Sequence, residues 1–211
     1  PPIFIRTAVL DADVVLIDGR SNVDVTLRAQ GISRGELIVG RIAGNAKLTD
    51  GRGTATFAVA GTRGSTFEFQ AKADIAPDLY RITGSGQFEG RSLRLTKALE
   101  LRRAGDGWTA SPTTIRYGSG SVRLSGRWGS GASRLDLAMA KMPLSLLDIA
   151  YADLGLGGTA SGTVKLSQTG SQVPVGDARL TVKGLTRSGL ILTSAPVDLG
   201  LNIAILQRNA A

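Results

Sequence analysis

The sequence predicts an all-β protein, an antiparallel meander of short strands, and three observations predict it. Apolar and polar residues alternate with a period of two through most of the chain. Turn signals interrupt that alternation about every ten residues. No strand pattern is followed by a helical one in the regular way that a parallel sheet requires. The 28 glycines among 211 residues are scattered rather than periodic, which suits frequent tight turns and argues against an all-helical chain.

The elements follow in order. From Asn22 to Gln30, Val23, Val25, Leu27 and Ala29 share one face, and Asp24, Thr26 and Arg28 the other. Ala55–Gly61 repeats the pattern. Ser65 to Ala73 places Phe67, Phe69, Ala71 and Ala73 opposite Thr66, Glu68, Gln70 and Lys72. Short strands follow at Arg91–Leu95 and Ala98–Arg102. Ser121 to Trp128 sets Val122, Leu124 and Trp128 against Arg123, Ser125 and Arg127. Ser133–Met139 carries Leu135 and Leu137 on its apolar side, Thr163–Ser167 carries Val164 and Leu166, and Ala178–Lys183 carries Leu180 and Val182. Val197–Ile205 ends the series with Leu199, Leu201 and Ile203. Turns are expected at Asp18-Gly19, Asp50-Gly51, Gly84-Ser85-Gly86, Gly105-Asp106-Gly107 and Gly118-Ser119-Gly120. One segment departs from the rule. Pro143 stands at a first helical position, Leu144, Leu147 and Tyr151 recur at helical spacing, and a Gly155–Gly158 run follows. A short helix near 143–151 is expected, covering the sheet and dividing 1–141 from 142–211.

Composition restricts the chemistry. Histidine and cysteine are both absent, which excludes His-dependent triads and His/Cys metal clusters and leaves no expected cofactor or metal. The carboxylates Asp11/Asp13 and Asp148/Asp153 read as a solvated strand edge and a helix end rather than an acid/base pair. The Gly84-x-Gly86, Gly118-x-Gly120 and Gly155-x-Gly157 motifs open no helix, so they read as turns and not phosphate loops. The formal charge is +8, from 25 Lys and Arg against 17 Asp and Glu. Arg123, Arg127, Arg134, Lys165, Arg179 and Lys183 lie opposite the aliphatic stripe, whereas Phe57, Phe67 and Phe69 lie within it. Nucleic-acid surfaces interleave the two, so a solvated face with headgroup contact as a secondary role is the reading, without nucleic acid. No stretch approaches the roughly 18 apolar residues of a membrane span. No signal peptide opens the chain, and both ends fall within strand patterns, as expected of a fragment.

The region from Met142 to Leu190 has a more specific texture. Met142-Pro143-Leu144-Ser145-Leu146-Leu147 is followed by Leu154-Gly155-Leu156-Gly157-Gly158-Thr159-Ala160-Ser161-Gly162, then Pro174, then Asp177-Ala178-Arg179-Leu180-Thr181-Val182-Lys183-Gly184-Leu185. This resembles the repeating phrase of the TamB/AsmA-like family: a "Pro-Leu-Ser-Leu" helix, a Gly-bent strand, a Pro-marked turn and an "Ala-x-Leu-x-Val-x-Gly-Leu" strand. The close likeness covers about a quarter of the chain, and the remainder agrees in texture. The resemblance implies a long, curved and twisted antiparallel sheet forming an open trough, a β-taco that is apolar within and polar outside. It further implies a parent protein anchored in the inner membrane of a Gram-negative bacterium and spanning the periplasm. Its partners would be phospholipid acyl chains and, through a region outside this chain, the outer-membrane barrel TamA. The implied work is phospholipid transport between the two membranes, outer-membrane protein assembly, or both.

On that expectation the residues lining the acyl conduit are Val23, Val25, Leu27, Phe67, Phe69, Val122, Leu124, Leu135, Leu137, Val164, Leu166, Leu180, Val182, Leu199, Leu201 and Ile203. A thinly filled apolar face, mostly aliphatic with no recurring buried Trp or Tyr anchor, suits a sheet that leaves room for a ligand. The rival expectation is a structural or adhesive extracellular β-domain, sandwich or solenoid, with a sealed core. An enzyme is not expected.

Overall fold

The structure, a computed structural model, describes residues 2–149, 154–188 and 194–205. It is one antiparallel sheet of 14 strands, divided into two compact units, Pro1–Glu100 and Leu101–Ala211. Residue 142 falls inside the second unit. The first unit holds β1 (Phe4–Ile17), β2 (Arg20–Arg34), β3 (Leu37–Thr49), β4 (Arg52–Arg63), β5 (Ser65–Ala76), β6 (Leu79–Phe88) and β7 (Arg91–Leu95), and β8 (Leu99–Ala104) begins at its end. The second holds β9 (Gly107–Tyr117), β10 (Gly120–Trp128), β11 (Ala132–Pro143), β12 (Leu156–Thr169), β13 (Val175–Arg187) and β14 (Val197–Ile205).

Each successive strand from β1 to β7 pairs antiparallel with the one before it. The tight hairpins explain the order. Asp18-Gly19, Asp50-Gly51 and Glu89-Gly90 each put two consecutive residues at φ between 51° and 76°. Positive φ at both central residues is the type I′ geometry, whose twist matches the flanking strands. The expected Asp-Gly turns are therefore in place. The expected turn at Gly84-Ser85-Gly86 is not, because these residues lie within β6. Gly86 pairs with Phe69 and Gly84 with Ala71. A Cβ at Gly86 would meet the Phe69 ring edge at 2.5 Å, so the glycine is a packing requirement of a continuous strand.

The second unit is punctuated by bulges. Register shifts fall at Leu124/Gly126, Met139/Met142, Gly157/Thr159 and Val182/Leu185. At the second of these, Lys141 adopts φ 47°, and its amide donates to Ser161 Oγ at 2.9 Å. The buried residues also concentrate here: Ala110, Thr113, Tyr117, Met142, Ala160, Ala178 and Val182. Tyr117 has no accessible surface. Its register partner Gly120 has no side chain, and the Met142–Pro143 corner closes over that glycine.

A six-residue 3-10 helix, Leu144–Ile149, follows that corner and packs on β12. The expected α-helical face does not form. A winding of 3.0 residues per turn redistributes the side chains: Leu144 and Leu146 are half-buried, and Leu147 is 44% exposed. Tyr151 lies outside the described residues.

Candidate functional site

Register fixes which side chains share a face, since directly paired residues point the same way. In the first unit one row runs Ala12, Val25, Ala46, Ala55, Ala73, Ile82 across β1 to β6. The next runs Leu10, Leu27, Gly44, Phe57, Ala71, Gly84, and a third runs Ala29, Ile42, Val59, Phe69, Gly86, Leu93. Val23 and Phe67 belong to the flanking rows, paired with Leu48 and Gly61. Val23, Val25, Leu27, Phe67 and Phe69 therefore lie on one apolar face. The Phe67 and Phe69 rings are stacked, with centroids 5.8 Å apart.

That face is open to a degree that a closed core would not allow. Among the described residues of the first unit, only Ala29, Val39 and Phe88 are buried. Leu10, Val14 and Leu16, which extend the face along β1, are 66%, 62% and 76% exposed. The sequence reading missed these three, although Ala8, Leu10, Ala12, Val14 and Leu16 alternate. The apolar run Val14-Val15-Leu16-Ile17 hides the period.

In the second unit, Leu124, Leu137, Val164, Ala178 and Ile203 form one row, and Val122, Met139, Gly162, Leu180 and Leu201 another. Leu135 pairs with Leu166, and Ala160 with Val182, which in turn pairs with Leu199. The structure thus brings the expected lining residues of this unit onto a single face too. Val182 is buried, whereas Leu199, Leu201 and Ile203 are exposed on the last described strand.

The opposite face is polar. In the first unit Lys47 Nζ lies 3.0 Å from Asp24, Thr49 Oγ1 donates to Asn22 at 2.8 Å, and the Thr56 hydroxyl bonds Asn45. This face holds a shallow hollow of about 700 Å³. Its sides are two rows of polar-face residues, Thr26, Asn45, Thr56, Lys72, Thr83 and Arg28, Ala43, Ala58, Gln70, Ser85. Between them lies the row Leu27, Gly44, Phe57, Ala71, Gly84, and Leu95 of β7 completes the lining. The apolar-face rows beyond that one do not line it. Ala43 and Ala58 create the depression, because they are short side chains between Arg28 and Gln70.

In the second unit, Arg134 Nε and Nη2 donate to the two Asp136 oxygens at 2.8 and 3.1 Å. This holds the Asp136 carboxyl below its ordinary value and raises Arg134. Asp106 is lowered by the hydroxyl and then the amide of Ser130, both of which donate to it. Lys183 lies 3.8 Å from Asp198. Asp11 and Asp13 sit on the polar side of β1, opposite Thr26 and Asp24. Asp148 accepts from the Gly155 amide at 3.3 Å, and Asp153 is outside the described residues. No described helix is long and apolar enough to cross a membrane.

No protein-family model matches the chain, and no curated protein or solved structure matches it either.

Proposed function

We propose that this chain is a lipid-conducting segment whose apolar sheet face takes acyl chains and which catalyses nothing. The observation that carries the proposal is the first unit's apolar face: continuous across β1 to β7, yet half-exposed along most of its rows and largely exposed on β1. Each CH₂ removed from water on such a face contributes roughly 0.8 kcal/mol. Nothing directional anchors the chain there, so it can slide. The proposed setting is that of the TamB/AsmA-like resemblance. It is a periplasmic segment of a parent anchored in the inner membrane, serving phospholipid movement between the membranes or outer-membrane protein assembly with a TamA-type barrel.

The second unit supports a second reading. Its buried Tyr117, Met142, Ala160 and Val182 favour a locally packed structural β-segment there. Native mass spectrometry of the purified chain, after incubation with phospholipid vesicles and separation from them, discriminates the two. The lipid reading expects phospholipid-bound species. A bare chain throughout, with intact β-type circular dichroism, overturns it.

A further inference from the structure

We infer that the hollow on the polar face of the first unit binds an acidic oligosaccharide, a short polyhydroxyl chain carrying carboxylate or sulfate groups. The site lies on the face opposite the proposed lipid groove and does not rest on that reading.

Four features point to this ligand. The volume of about 700 Å³ lies within the range of ligand sites, roughly 300–1,000 Å³. No carboxylate lines it, although Asp24, Asp74 and Glu68 stand on the adjoining rows of the same face. Its charged lining residues are two cations: Arg28, without an ionic partner among the described residues, and Lys72, held only loosely by Asp74 at 3.9 Å. The rest of its polar lining is hydroxyl and amide: Thr26, Asn45, Thr56, Gln70, Thr83 and Ser85.

Arg28 on β2 and Lys72 on β5 are three strand spacings and one row apart, roughly 16 Å. That separation suits charges distributed along a chain better than one compact anion. The repeated hydroxyls and amides between them match a ligand that offers a hydroxyl at every step. Nucleic acid fits less well, because Phe57, Phe67 and Phe69 belong to the other face and leave no aromatic for base stacking.

The test is isothermal titration calorimetry on the whole chain with tetragalacturonate, a sulfated tetrasaccharide, maltotetraose, sodium sulfate and an oligothymidylate. Saturable binding of either acidic tetrasaccharide is expected, and which of the two binds identifies the anionic group. Arg28→Ala and Lys72→Ala should each weaken binding at least fivefold, and Ala58→Leu should weaken it similarly by filling the hollow. Equal binding of maltotetraose, sulfate or oligothymidylate overturns the inference, as does the absence of acidic-glycan binding. Amide shift mapping on the unsubstituted chain provides a readout independent of variant folding. Perturbations must centre on Thr56, Ala58 and Gln70, and a centre elsewhere overturns the site.

Discussion

Replacing Val25 by Arg distinguishes an open apolar face from a covered one, because the two predict different energies at the same atom. Val25 pairs with Ala12 on β1 and Ala46 on β3, so small neighbours flank it on both sides. It is half-buried. Fully burying a valine contributes roughly 1.5–3 kcal/mol, so losing a half-buried one costs about 1 kcal/mol. A long arginine stem can lie over Ala46 with its guanidinium in water. For a chain of this size, a loss of 1 kcal/mol lowers Tm by about 2–4 °C. In a sealed core the same substitution buries an unpaired charge, at a cost of several kcal/mol, and unfolds the unit. Thr26→Arg, one residue along on the polar face, is the control. With a benzophenone side chain in place of the exposed Phe57, which is 43% accessible on the next apolar row, lipid capture is read directly. Val25→Arg should keep the β-type circular dichroism, melt within about 4 °C of the parent, and lose lipid crosslinking. Thr26→Arg should lose neither fold nor crosslinking. Global unfolding of Val25→Arg, or equal crosslinking by the two variants, refutes the open-groove argument.

Two further outcomes follow from the second unit. Leu147 is 44% exposed on the 3-10 helix, so Leu147→Asp should leave Tm nearly unchanged, whereas Met142→Asp, at a site only 7% exposed, should abolish the cooperative melt. The Asp106 carboxyl is lowered from an ordinary 3.8 by Ser130, so its stabilising contribution is complete above the unfolded value and is lost as pH falls through the folded one. Melting curves from pH 6 to pH 3 should therefore fall less steeply below about pH 4 for Asp106→Asn than for the parent; identical slopes would remove Asp106 from the acid transition.

Much of the sheet was legible because alternation is a local property. Strands such as Ser65–Ala76 show their two faces in consecutive residues, and the Asp-Gly pairs mark their own hairpins through the φ they require. What escaped was set by neighbours distant in sequence. Gly84 and Gly86 read as a turn until the partner strand supplies Ala71 and Phe69 to occupy the space above them. β3 was missed because Gly40 and Gly44 interrupt its pattern, although Ile42, Ala46 and Leu48 keep the period around them. Tyr117 gives no sequence sign of being the most enclosed side chain of its unit, because burial is set by partners that only the folded registers bring together. The polar hollow was invisible for the same reason. Arg28, Ala43, Ala58, Gln70 and Ser85 are a row only once four registers are known.

The kind of partner suited to the first unit's apolar face can be argued from its size and texture. Three rows of six residues, each residue covering about 4.8 Å by 6.8 Å, make a patch of ~590 Å². That is at the upper end of what a solitary soluble surface leaves exposed without a use. Protein interfaces concentrate their energy in aromatic and arginine anchors seated in pockets. In these three rows the one exposed aromatic is Phe57, among residues that are mostly alanine, glycine and aliphatic. Such a surface offers contact area without positional preference. It would hold a rigid partner weakly and out of register, yet loses nothing when a flexible hydrocarbon chain shifts by one carbon. The same small residues that make the face poor at specific recognition make it suitable for a ligand that must be held and also released along its length.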